Sequence, residues 1–371
     1  MIRRRTITSY VWNSVSGNKM VILSNCIRNF FRKFELLGNS VQGENPAPDN
    51  PQEIKSAGKY DEASGKYLLD VKVTGKNLFN KELIKKAMQG VSYLYVPIYV
   101  KKGSKVSFSY SKTLPSGLNF YVLLARDMGA SYGSYSWLYH STATSLCNNE
   151  GTFVADNDVI SLSFFGSDLD IMIENLFNYL QIEISDKPTP YEPYTEQTVQ
   201  IALDEPLRGI GDYKDVLTKD GVVRKIKRIV FDGSEDEKWG IGIERENVID
   251  FVSTQFSDAT KINEHQRSMM DKLKWSSGVW GRDEIGQDMF AGILRINMPK
   301  TLTPDLQTFK TWLSQNPLTV DYVLAESVTE PLPESVQQQL QALHSENGTT
   351  HIFVDSGEVE AGINIEYKYK S

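Results

Sequence analysis

The sequence predicts an all-β protein: a jelly-roll or β-sandwich module, then a second β-rich domain carrying one or two short helices. Three observations predict it. Short runs rich in Val, Ile, Tyr and Phe, several with two-residue alternation, recur along most of the 371 residues. Clusters of Gly, Ser, Pro and Asn, the turn formers of antiparallel sheets, separate those runs. Clear helical periodicity is confined to a short stretch near residue 85 and two stretches in the last third.

Residues 1–37 read as an N-terminal arm or attachment segment. Arg3, Arg4, Arg5, Lys19, Arg28, Arg32 and Lys33 all precede the first acid, Glu35. Thr6–Gly17 is too polar for the apolar part of a signal peptide, and Val21-Ile22-Leu23 is too short. The segment suits docking on an acidic partner or on the chain's own acidic body; an ordinary leading strand pair and an upstream extension stay open. Residues 38–64 form a proline-rich strap. Pro46, Pro48 and Pro51 each fix φ and push the preceding residue toward extended geometry, so the stretch reads as an extended strap along a surface, with a plain linker as the alternative.

Residues 65–190 carry the module. Its strand-like runs are Tyr67–Thr74, Val91–Val100, Lys105–Tyr110, Leu118–Arg126, Tyr135–Ser141, Val159–Gly166 and Phe177–Ser185, and Lys81–Gln89 reads as a short helix. A second proline strap, "KPTPYEPYTEQ" (Lys187–Gln197), marks the boundary to the C-terminal domain, residues 191–371. That domain continues with the runs "TVQIALD", "VVRKIKRIVFD", "WGIGIE" and "FAGILRINM", and "KDGVV" (Lys219–Val223) carries a hairpin-turn signal. A helix is expected from Pro304 to Gln315, with Thr303 as N-cap, Pro304 at N1 and Leu306, Phe309, Trp312 and Leu313 on one face. In "PESVQQQLQALHS", Val336, Leu340 and Leu343 define a narrower apolar face. Ile262–Trp275 reads equally as helix or polar loop. The alternation of Ile363, Ile365, Tyr367 and Tyr369 predicts a terminal hairpin.

Composition narrows the function. Hydrophobic content of 40% with 23% charged residues is that of a globular protein, and the length favours two or three domains. A net charge of −7 argues against nucleic acid as the main partner, and no run approaches the roughly 18 apolar residues of a membrane span. Cys26 and Cys147 form no ligand pair and read as free buried thiols, a disulfide between them being the alternative. His140, His265, His344 and His351 lie in separate segments without zinc spacing, and no nucleophile elbow or phosphate loop occurs. A glycosidase needs two carboxylates. Asp156 with Asp158, Asp168 with Asp170, and Glu235-Asp236-Glu237 are the acid groups to weigh, and turn capping and solvated loops account for them. "ADND" (Ala155–Asp158) also offers oxygen ligands for a structural Ca²⁺. The binding candidate is "SYGSYSWLYH": Tyr135, Trp137 and Tyr139 alternate, so a regular strand puts all three on one face, and Tyr132 falls at a loop tip. Such a row stacks on sugars, or else forms the sandwich core.

"GNSVQGENPAPDNPQEIKSAG" (Gly38–Gly58), "VTGKNLFN" (Val73–Asn80), "PTPYEPYTEQTVQI" (Pro188–Ile201), "LRGIGDYKDVL" (Leu207–Leu217), "KIKRIVFDGSEDEKW" (Lys225–Trp239) and "FKTWLSQNPLTVDYVLAESVTEPLPE" (Phe309–Glu334) together, in this order, resemble tail proteins of bacteriophages and prophages of gram-positive hosts, of the minor structural, tail-fibre or receptor-binding type. The resemblance spans roughly residues 34–371 and leaves residues 1–33 unmatched. It implies a β-rich virion component at the tail tip, assembled in the host cytoplasm, with a jelly-roll module similar to carbohydrate-binding domains. It implies no catalytic residues and no cofactor. The implied partners are host cell-surface polysaccharide, other tail proteins and further copies of the chain, most simply a trimer, with no membrane insertion. A tail-associated glycan-degrading enzyme and a structural adaptor without ligand are the alternatives. The motif order also allows the module to be an insert within one scaffold domain, its two ends close together.

Overall fold

The computed structural model describes residues 6–8, 18–87, 93–110, 120–125, 135–140, 150–166, 179–260, 267–276 and 283–370. Strand accounts for 52% of the structure and helix for 9%, so the protein is all-β with a few short helices.

A two-sheet scaffold holds both ends of the described chain. One sheet runs Glu196–Leu203, Lys66–Thr74, Gly348–Asp355, Asn18–Cys26, with Lys59–Asp61 also on Lys66–Thr74. The other runs Thr6–Thr8, Gly362–Glu366, Lys33–Leu37, Val216–Leu217, Gly221–Phe231, Leu318–Pro331, Ser268–Met270. Alternate apolar residues of the two sheets meet: Leu23, Leu69, Val71, Val73, Ile201 and Ile352 from the first, Phe34, Leu36, Leu217, Val222, Ile363 and Ile365 from the second. Leu340 of the helix Glu334–Ala342 closes this core.

Three expectations change here. Residues 18–37 form the leading strands, the alternative to an attachment arm, because Leu23, Phe34 and Leu36 are core residues whose alternation builds two scaffold strands. Lys19, one of the basic residues of this segment, is buried and pairs with Glu360 of the same chain at 2.7 Å. The C-terminal stretch is not a hairpin: Gly348–Asp355 and Gly362–Glu366 lie in different sheets, and the chain crosses between them through a turn organised by the buried Ser356 hydroxyl, which donates to Val359 O (2.8 Å) and accepts from Ala361 N (2.9 Å). Lys66–Thr74, which the sequence places in the 65–190 module, is paired on both sides with scaffold strands.

The module itself is a jelly roll. Its four-stranded sheet runs Tyr93–Tyr99, Val159–Gly166, Phe120–Ala125, Tyr135–His140, and its three-stranded sheet runs Leu180–Ile184, Lys105–Tyr110, Glu150–Val154. Asn77–Phe79 occupies the remaining first-strand position beside Leu180–Ile184, with Leu78 N donating to Ile182 O at 2.7 Å and Ile182 N to Asn77 Oδ1 at 3.2 Å. Ile98, Leu124, Ile160 and Leu162 pack against Val106, Phe108, Phe153, Leu180 and Ile182 between the sheets. The module is an insert: it leaves the scaffold after Thr74 and returns at Glu196, and those two residues are direct cross-strand partners.

A third hydrophobic cluster lies at the far end of a long ribbon. Gly221–Phe231 and Leu318–Pro331 start in the scaffold core and run on to a four-stranded sheet, Trp239–Glu244, Val248–Ser253, Ile293–Pro299, Gly286–Phe290. The helix Leu306–Gln315 covers that sheet, Phe309 stacking on Phe251 with ring centroids 4.0 Å apart. Phe309 and Leu313 are buried and Leu306 and Trp312 pack beside them, as the periodicity predicts. The N-cap differs from expectation. Asp305, extended at φ −154°, accepts from Thr308 N at 2.7 Å, and Thr303 is buried upstream of the helix.

The first proline stretch folds back on itself instead of lying extended. Ser40–Val41 pairs with Lys55–Ser56, and Ala47 and Asn50 exchange backbone hydrogen bonds of 3.1 and 3.0 Å around Pro48. Pro48 supplies the fixed φ that the second position of a tight turn favours. This small hairpin clasps both lobes: Ala57 bridges Leu207 in the scaffold, and Gln52 N donates to Asp271 O (2.6 Å) in the distal lobe.

Candidate functional site

The predicted aromatic row falls on Tyr135–His140, a strand of the jelly roll. Its backbone register is not regular. Tyr135 pairs with Ala125 and Trp137 with Leu123, but a shift between Val122 and Leu123 pairs Tyr139 with Val122. The side chains of Tyr135, Trp137 and Tyr139 lie outside what the structure describes. Tyr132, Asp168, Asp170, Cys147 and His265 lie outside the described residues.

The base of the module is built with unusual polar density. Where the chain re-enters the scaffold, the second proline stretch runs along Leu180–Ile184 and is held by side chains buried beneath it. Glu183 accepts from Thr189 N (2.8 Å) and from the Thr189 hydroxyl (2.8 Å). Lys76 Nζ donates to Thr189 Oγ1 (2.9 Å) and Pro190 O (2.6 Å) and pairs with Glu192 at 3.0 Å. Gln181 donates to Glu183 (2.8 Å) and accepts from Glu192 N (2.8 Å), and Asn77 donates to Glu192 O (3.0 Å). Each buried polar group is thereby satisfied, which removes the cost of taking it out of water. On the outside of this network the rings of Tyr179 and Tyr191 lie 6.4 Å apart at 50°. The sequence marked this stretch only as a boundary, because prolines dominate it; "PYEPY" with its tyrosines beside a module end was the available signal.

On the scaffold side, His351 is fully buried at the same exit point. Its Nδ1 lies 2.9 Å from Gly75 O, so that nitrogen carries the proton, and burial lowers its pKa to about 4. Cys26 is a free buried thiol whose pKa burial pushes up to about 11, which makes it unreactive.

Among the described acids, Asp158 and Glu237 accept backbone N–H groups. Asp158 accepts from Lys102 N at 2.8 Å. Glu235 is exposed and pairs with Lys310. Glu237, one of the acids read as turn-capping or solvated, is buried and caps the turn before it, accepting from Asp232 N (2.6 Å), Gly233 N (3.0 Å) and Trp239 Nε1 (2.6 Å), its pKa raised by burial. Among the described residues no three His, Cys, Asp or Glu side chains gather as a metal site.

The densest charge cluster joins the scaffold to the distal lobe. Asp215, fully buried, accepts from Arg208 N (3.0 Å), Lys225 N (2.7 Å) and Ile226 N (3.0 Å) and pairs with Arg224 at 3.2 Å. Lys225 and Ile226 sit at a register shift of the long ribbon, so the carboxylate satisfies N–H groups that the ladder leaves over. Asp321, also fully buried, receives Arg228 through two bonds of 2.7 and 2.9 Å, and Arg228 also donates to Ile54 O of the proline hairpin (3.1 Å). This is a structural hub whose two carboxylates, Asp215 and Asp321, are fully buried.

Among the described residues no helix is long and apolar enough to cross a membrane. No protein-family model matches the chain, and no curated protein matches it. Three solved structures of infectious bursal disease virus align over nearly its whole length: the VP2 subviral particle (11% identity, all of this chain and 80% of that one, TM-score 0.11), the T=1 particles (10%, 98% and 80%, 0.09) and the Gx strain (11%, 98% and 79%, 0.09). At such scores the alignments carry no argument about fold or function.

Proposed function

We propose that the chain is a structural protein of a phage tail tip that binds host cell-surface glycan for adsorption, with the inserted jelly roll as the binding module. The observation that carries the reading is the insertion itself. A complete jelly roll, an architecture that also serves lectin domains, leaves and re-enters the scaffold through directly paired residues, Thr74 and Glu196. Its base is fastened by a buried polar network. A module held this way is displayed at a fixed angle, which suits recognition at the end of a larger assembly. The resemblance of the sequence motifs to tail proteins of phages of gram-positive hosts supplies the context, with other tail proteins and further copies of the chain as proposed partners and the virion as proposed location. A homotrimer would multiply weak glycan contacts into useful avidity.

The test is adsorption of the purified protein to gram-positive host cells before and after periodate oxidation of surface glycans. Binding that disappears with the glycans is the expected result. Undiminished binding to oxidised cells would count against the proposal.

A further inference from the structure

We infer that the paired rings of Tyr179 and Tyr191, at the base of the jelly roll, form the platform on which sugar rings of the host glycan stack; the inference rests on the glycan-binding reading above. Both side chains reach solvent, at 36% and 39% exposure. A tyrosine offers an apolar face with a polar rim, and a pyranose offers a C–H face with hydroxyl edges, so the two surfaces match in character. The ring centroids lie 6.4 Å apart with planes tilted at 50°, so two solvent-reaching aromatic surfaces stand within the span of adjacent sugars.

The rigid mounting of Tyr191 supports the assignment independently. The residue sits in irregular backbone between prolines, where an exposed ring has no core to hold it. Yet the peptide groups on either side are tied down: Pro190 O accepts from Lys76, Glu192 N donates to Gln181, and Glu192 O accepts from Asn77. Lys76, Asn77 and Gln181 are all buried. Such a mounting leaves little backbone entropy to lose on binding, which is where flexible loops forfeit affinity. The Tyr191 hydroxyl is kept protonated by burial and by the neighbouring Tyr179, so it remains available as a donor to a sugar oxygen. Another ring pair, exposed Tyr60 with half-buried Tyr67, sits on a scaffold hairpin away from the module and serves as a control.

The experiment measures binding of the full chain to deproteinised cell walls of a gram-positive host, with melting temperature read on the same samples. Tyr191→Ala and Tyr179→Ala are each expected to weaken binding about tenfold or more at unchanged melting temperature. Tyr191→Phe, which keeps the ring, should retain most of the affinity, and Tyr60→Ala all of it. If Tyr191→Ala lowers the melting temperature, Tyr179→Ala and Tyr191→Phe decide between stacking and folding. Wild-type affinity in both alanine variants would overturn this site while leaving the glycan reading intact. Absence of binding by the wild-type chain would overturn both.

Discussion

Asp215 shows how much of this fold depends on single buried charges. Its carboxylate holds three backbone N–H groups and the Arg224 guanidinium where the long ribbon shifts register. Asp215→Ala would leave Arg224 buried without that partner, and a denaturant titration should show a loss of about 3–5 kcal/mol. His351 gives a pH-dependent counterpart. Its pKa falls from the ordinary value of 6.5 to about 4 in the folded chain, so between those values the unfolded state binds more protons. The stabilisation from burying neutral His351 is complete above pH 6.5 and is lost as pH falls toward 4, at roughly 1.4 kcal/mol per pH unit within the window. Melting curves of wild type and His351→Gln should therefore converge as pH drops from 6.5 to 4; parallel curves would contradict the assignment. Neither residue stood out in the sequence. Arg208, Asp215 and Asp321 sit in motifs read as turns and strands, and a charged residue looks like a surface residue until its partner, distant in sequence, is brought beside it. The burial of Glu237 was hidden for the same reason.

At the scale of elements, periodicity located strands well and said little about which strand pairs with which. The helix Leu306–Gln315 was legible because Leu306, Phe309, Trp312 and Leu313 repeat at helical spacing. Its cap was misplaced by two residues because Thr303 and Asp305 are both good N-caps and only geometry chooses between them. Asp305→Ala is expected to cost about 1 kcal/mol. Thr303→Val should cost nothing or stabilise slightly, since the buried Thr303 hydroxyl makes no hydrogen bond among the described residues. Thermal melts of the two variants separate the assignments. "FAGILRINM" read as one strand but contains a hairpin turn, with Ala291 at φ 53° and Gly292 at φ 76°. Alanine is a poor signal for that turn because its Cβ disfavours positive φ. The terminal alternation of Ile363 and Ile365 was real, but a two-residue period cannot say that the strand before it belongs to another sheet.

For the whole molecule, the all-β class and the jelly roll followed from runs of apolar residues separated by turn formers. The insertion was visible only as an ordering of motifs, and the pairing of Thr74 with Glu196 now accounts for that order. The third lobe was hidden within the expected C-terminal domain, because the ribbon strands that lead into it are continuous with the scaffold. The trimer belongs to this scale too: light scattering on the purified chain should give three times the chain mass, and a single-chain mass at micromolar concentration and above would count against self-assembly without a tail partner. Since Thr74 and Glu196 are already neighbours, a short turn in place of residues 75–195 should leave the scaffold and distal lobe folded. The most direct test of the central claim is host-cell adsorption of this module-less variant beside the full chain. The account predicts a cooperatively melting protein that no longer adsorbs; a module-less protein that adsorbs as well as the full chain would contradict it.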